Sequence, residues 1–136
     1  MLNDIRNRHD IDRLMVLFYE RAMSDPEIGY LFTDVARLDL EHHLPIIGDF
    51  WETMLFRTGD YGRHGRNPLE VHGELASKSP LLPEHFDRWL GIFEQSTDEL
   101  FAGEVADFIK MRARAIAGRM LQYVSTVSGG VGAYAR

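Results

Sequence analysis

The chain has 136 residues, 45% apolar and 26% charged, and a formal net charge of -6, which describes one domain able to bury its own core. The acidic balance speaks against nucleic acid or an anionic membrane as partner. The absence of cysteine excludes disulfides, thiolate metal sites and cysteine nucleophiles.

In chain order, the sequence reads as helices broken by Gly and Pro, with no repeats and no convincing strand pair. A first helix is predicted from about Asn7 to Met23. Asn7 and Asp10 stand at capping-box spacing, and Ile11, Leu14, Met15, Phe18 and Ala22 form one stripe with Tyr19 beside it. SDPEIGYLF restarts the chain, with Asp25 as N-cap and Pro26 at the first helical position. A helix over about Asp39 to Arg57 carries Leu40, His43, Leu44, Ile47, Trp51, Met54 and Leu55 on one face. His43 shares that face, whereas His42 is rotated about 100° away. Pro45 removes a backbone donor, so the helix either begins near His42 or bends beside His43.

RTGDYGRHGRNP then reads as a long loop. Leu69 to Leu75, with His72, is a short apolar piece that must dock on something. A helix is predicted from Pro83 to about Phe101, with the stripe Phe86, Trp89, Leu90, Phe93, Thr97, Leu100 and Phe101. Gly103 punctuates. The last helix, about Glu104 to Val124, carries Val105, Phe108, Ile109, Ile116 and Met120, with Ala113 and Ala117 permitting close packing. The expectation is an all-α domain over 1–124 and a flexible tail over 125–136. No apolar run nears the roughly 20 residues that span a bilayer. The charged start MLNDIRNRHDIDR has no signal-peptide pattern, so a soluble cytoplasmic protein with no membrane or nucleic-acid partner is expected.

Few residues could carry chemistry. GDYGRHG lacks the Lys-Ser/Thr of a phosphate loop, no HExxH is present, and no Ser sits on a sharp glycine turn. Glu41, His42 and His43 are adjacent on a helix and cannot converge on one ion. The paired Glu-x-x-His pattern of di-iron bundles is missing too. A haem asks for less: two apolar walls, one imidazole on the iron, and polar donors opposite. His72 has apolar neighbours, and His43, Tyr19 and Trp89 are donors on apolar faces. Each also has a plain reading as a packed core side chain. Fifteen aromatic residues suit either a large core or a pocket for a flat ligand.

The segments LFYERAMSDPEIGYLF, HLPIIGDFWETMLF, NPLEVH, HFDRWLGIFEQSTDELF and ARAIAGRM, in this order, resemble the truncated (two-on-two) haemoglobins and within them the third group. The resemblance covers about residues 10 to 122. The Gly-Gly loop motifs of the first two groups are not visible, which suits the third. It implies a truncated globin fold, two helix pairs crossed over a haem b (iron protoporphyrin IX), with the proximal helix reduced to about two turns. It implies His72 of NPLEVH as proximal iron ligand. Tyr19 of FYE, His43 of HLP and Trp89 of RWL would be distal-pocket residues, with Phe32 and Ile47 against the porphyrin.

His64, Arg63, Arg66, Arg37 and Lys78 are propionate candidates by charge alone. The function implied is binding of O2 and of CO or NO. An enzymatic alternative is an NO dioxygenase or a peroxidase, the former needing a reductase partner, and a non-haem helical interaction module is the remote third reading.

Overall fold

The computed structural model describes residues 1–57 and 78–127. Four α-helices and one π-helical turn make up the regular structure among them. α1 spans Arg8–Met23, and its N-cap is Asn7, whose side chain accepts from the Asp10 amide at 3.0 Å. Asp10 completes the cap one residue further back than the usual box, because its carboxylate accepts from the Arg6 amide at 2.9 Å. Two orphan amides of the first turn region are thereby satisfied. The predicted stripe of Ile11, Leu14, Met15, Phe18 and Ala22 is wholly buried, and so is Tyr19.

Asp25 caps the next turn as expected, accepting from the amides of Glu27 and Ile28. The chain then winds into a π-helical turn over Leu31–Val35. Its widened winding shows in the Ala36 amide, which donates to the Leu31 carbonyl five residues back at 2.9 Å.

α2 spans Leu40–Phe56, with Asp39 as N-cap and Arg57 closing it in the left-handed conformation at φ 58°. The helix therefore starts before His42, which corrects the reading in which Pro45 lay in its first turn. Pro45 is inside the helix, so the Glu41 carbonyl loses its intrahelical donor.

α3 spans Pro83–Leu100, with Pro83 at its first position. His85 Nδ1 accepts from the Leu82 amide at 3.0 Å and so closes its start. Phe86, Ile92, Phe93, Ser96 and Thr97 form its buried face.

α4 spans Glu104–Val127 and runs three residues beyond the predicted end, Ser125 Oγ donating to the Leu121 carbonyl at 2.8 Å. Its buried face is Ala106, Ile109, Ala113, Ala117 and Val124, rotated from the predicted stripe so that Phe108 is 39% exposed. The small residues on that face let α4 approach closely. Its N-terminus is capped from the far end of the sequence: the Asp4 carboxylate accepts from the amides of Val105 and Ala106 at 2.9 and 2.8 Å. Gly103 makes room for it. The chain there has φ +146°, and a Cβ would lie 2.4 Å from Asp4 Cγ.

α1 packs on α2, α3 packs on α4, and α1 joins the pairs through α3. This is the two-on-two arrangement expected from the sequence. The centre is aromatic, with Phe18 edge-on to Phe93 at 5.3 Å and Trp51 5.5 Å from Phe93. Phe18 and Phe93 are each 1% exposed, and such burial contributes about 1.5–3 kcal/mol per side chain. None of the described helices is long and apolar enough to cross a membrane.

Candidate functional site

α1 and α2 bring Tyr19 and His43 together. The Tyr19 hydroxyl and His43 Nε2 are 2.9 Å apart, with the rings edge-on at 5.2 Å and 81°. The pairing has a local origin in each helix. Tyr19 is one position past Phe18, at the border of α1's buried stripe, and His43 is in the first turn of α2. Burial pushes the Tyr19 phenol well above the usual tyrosine range, so it keeps its proton throughout the neutral range.

Around this pair the surfaces are apolar. Phe32, from the π-helical turn, stands edge-on to Tyr19 at 6.1 Å. On α2, His43, Ile47, Phe50 and Met54 recur at helical spacing on one face, and all four are only half-buried. Ile46 and Trp51, which flank this face, and Gly48 and Asp49 behind it are buried. α2 thus has an apolar, only partly covered face that begins at a histidine and is flanked by buried positions. Trp89 is half-buried on α3, 5.5 Å from Phe18 and stacked at 5.4 Å on Phe93.

The structure therefore joins Tyr19, His43 and Phe32 directly and links Trp89 to them through Phe18, which touches Tyr19 at 5.0 Å. Ile47 lies one turn beyond His43 on the same face. His72, together with Arg63, His64 and Arg66, lies outside the described residues. Of the remaining propionate candidates, Arg37 and Lys78 are both exposed.

Among the described residues no three His, Asp or Glu side chains gather as a metal site. The donor set suits a group that brings its own ligands: one partly covered apolar face, one imidazole and one neutral phenol at its edge. A flat apolar macrocycle fits these residues. The groove between α3 and α4, lined by Glu94, Asp98, Asp107, Lys110, Met111 and Arg114, has the opposite character. Its charges pair with one another, Lys110 with Asp98 at 2.6 Å and Arg114 with Glu94.

Two side-chain systems beside the site escaped sequence reading. Arg8 reaches from α1 to α2, donating to Asp49 at 2.7 Å, Glu52 at 2.9 Å and the Pro45 carbonyl at 3.2 Å. Arg88, next to Trp89, donates to the buried Asp25 carboxylate through Nε and Nη2 at 2.9 and 2.6 Å. The only sequence signal for the first was a glycine and an aspartate inside an otherwise apolar helix, at Gly48 and Asp49.

No protein-family model matches the chain. The chain is similar to the group 3 truncated hemoglobin ctb of Campylobacter jejuni, at 34% identity over 114 residues, which is 82% of this chain and 85% of that protein. It also superposes on the crystal structure of a group III truncated hemoglobin from Campylobacter jejuni. That match has a TM-score of 0.78 and 31% identity, covering 91% of this chain and 95% of the other.

Proposed function

Because the chain belongs to the group III truncated haemoglobins, we propose that it holds a haem b on His72 and binds O2, CO or NO on the side facing Tyr19 and His43. The observation that supports this most is the hydrogen-bonded pair of buried Tyr19 and half-buried His43 at the edge of the half-covered apolar face of α2. When bound, haem supplies an iron centre able to take a diatomic ligand.

The residues of the chain do the rest. Phe32 and Ile47 provide apolar contact for the macrocycle and keep water from it. Tyr19 acts as a neutral hydrogen-bond donor towards the ligand. Its bond to His43 sets a condition on that role. If His43 Nε2 carries the proton, it donates to the phenol oxygen and the Tyr19 hydroxyl is free to turn towards the ligand. If Nε2 is bare, it takes the Tyr19 proton, and the hydroxyl is spent on the imidazole. The Nε2-protonated tautomer is therefore the binding-competent one. Trp89 adds an indole N–H from α3. Charge-assisted bonds of this kind are worth roughly 1.5–3 kcal/mol each, so O2 release is slow and tight binding is favoured over delivery.

A second reading is chemistry on NO with a reductase as electron source, or on peroxide with His43 as distal base, favoured by the imidazole that α2 sets beside the neutral Tyr19 phenol. Steady-state turnover with NO or peroxide distinguishes the two. The primary test is optical. Protein loaded with haemin shows a Soret band that shifts with CO, and His72→Gly loses it or regains it with added imidazole. A chain that takes up no haemin refutes both readings.

A further inference from the structure

We infer that Arg8 is a positioning residue for the distal pair: seated on Gly48, its guanidinium fixes how α2 lies along α1 and so holds His43 within reach of Tyr19. For its ligand-binding readout the inference rests on the proposed haem function; for its geometry it does not.

α1 and α2 run antiparallel and are tied by polar contacts at two places. At one end is the Tyr19–His43 bond. At the other, about 16 Å down α1 by helical rise, Arg8 donates to Asp49, Glu52 and the Pro45 carbonyl while its Nε donates to Asp12 of its own helix at 2.9 Å. The acceptors on α2 lie two, six and nine residues after His43, so the guanidinium grips the segment that directly follows the histidine.

Three features make this a register device. Asp49 is 8% exposed, and a buried carboxylate tolerates no slide that parts it from its cation. Glycine at 48 lets the guanidinium rest on the helix backbone, for a Cβ there would lie 2.5 Å from Nη2. The guanidinium cannot swing aside cheaply, because four acceptors hold it. Finally, Pro45 removes the intrahelical bond to the Glu41 carbonyl, so the first turn of α2 depends more than usual on outside support. Arg8 does not reach the Glu41 carbonyl, but it donates to the Pro45 carbonyl one turn on and so ties the helix just past the missing bond. Only the planar fork of arginine serves several acceptors in this way.

The test compares Arg8→Ala, Arg8→Lys and Gly48→Ala with Glu99→Gln, which removes the surface ion pair between Arg21 on α1 and Glu99 on α3. Gly48→Ala is the decisive variant. It favours the helix and keeps every charge, yet displaces the guanidinium. Two readouts are needed. One is the NMR signature of the Tyr19 hydroxyl proton and the His43 ring nitrogens, which needs no haem. The other is the C–O stretching band and O2 dissociation rate of the haem-loaded protein.

The expected result is a changed Tyr19–His43 signature and a shifted C–O band in Arg8→Ala and Gly48→Ala. O2 dissociation rises about fivefold, as for one weakened hydrogen bond. Arg8→Lys falls between, and Glu99→Gln matches the parent protein. Folded Arg8→Ala and Gly48→Ala proteins with unchanged signals overturn the inference, as does an equal shift in Glu99→Gln. If Arg8→Ala does not fold, Gly48→Ala and Arg8→Lys decide it. If the parent protein takes up no haem, the proposed function fails and the NMR comparison still decides the role of Arg8.

Discussion

Phe18 and Tyr19 are neighbours on α1 and nearly equal in size and burial, yet they serve regions built on different terms. Phe18 enters a dry aromatic centre with Phe93, Trp51 and Trp89, where ring centroids lie 5.3 to 5.5 Å apart and no polar group is required. Tyr19 turns towards His43 and Phe32, where one hydrogen bond is set against apolar walls. The first region gains its free energy from area and packing density. The second gives up part of that gain, leaving His43, Ile47, Phe50 and Met54 incompletely covered. A pocket is thus a place where a helix declines to finish its core, and α2 shows both choices along one helix.

If that division holds, substitutions on the two sides separate stability from ligand binding. Phe93→Ala has the largest effect: denaturant unfolding should show a loss of about 3–5 kcal/mol. A loss under about 1 kcal/mol would mean that the centre is not the stabilising region. Tyr19→Phe should be the reverse, a small stability change with O2 dissociation accelerated about tenfold or more, as for a lost bond of roughly 1.5–3 kcal/mol. An unchanged rate removes Tyr19 from the binding role.

Asp25→Asn probes the border, because Arg88 adjoins Trp89, which packs on Phe18 and Phe93 and reaches Tyr19 through Phe18. The Arg88 guanidinium, helped by the amides of Ile28 and Glu27 and opposed by burial, holds the Asp25 carboxyl below the usual carboxylate range. Its folded value lies below its unfolded value. Its contribution is therefore complete above about pH 4 and is lost as pH falls through the folded value. The variant should lose about 1 kcal/mol near neutrality, typical of a weakened cap, and show a flatter acid limb in a stability–pH series. A limb as steep as that of the parent chain would place the acid sensitivity elsewhere.

Most of the fold was legible because it obeys local rules. Asn7 and Asp10 marked the start of α1, Asp39 that of α2 and Pro83 that of α3. Helical periodicity named the buried faces of α1 and much of α3. Where it failed, longer-range packing had decided. The rotation of α4 that exposes Phe108 turns Ala106 and Val124 inward beside the expected Ala113 and Ala117, and the π-helical winding at Leu31 has no propensity signal.

At the site, the sequence proposed Tyr19, His43 and Trp89 as separate polar groups on apolar faces. It could not show that a phenol and an imidazole 24 residues apart share a hydrogen bond. Still less could it show Arg8 and Asp49, 41 residues apart and each unremarkable alone.

The Asp4 cap on α4 has a consequence for how the molecule is made. The carboxylate that caps α4 is synthesised 101 and 102 residues before the two amides it accepts from. Such a closure carries a large loop entropy and rewards the chain only once the intervening helices have docked. Asp4 therefore waits while the helices between are made and docked, and then acts as a latch on α4. Fusions or trims at the N-terminus should consequently be felt first at Glu104, on the opposite side of the sequence.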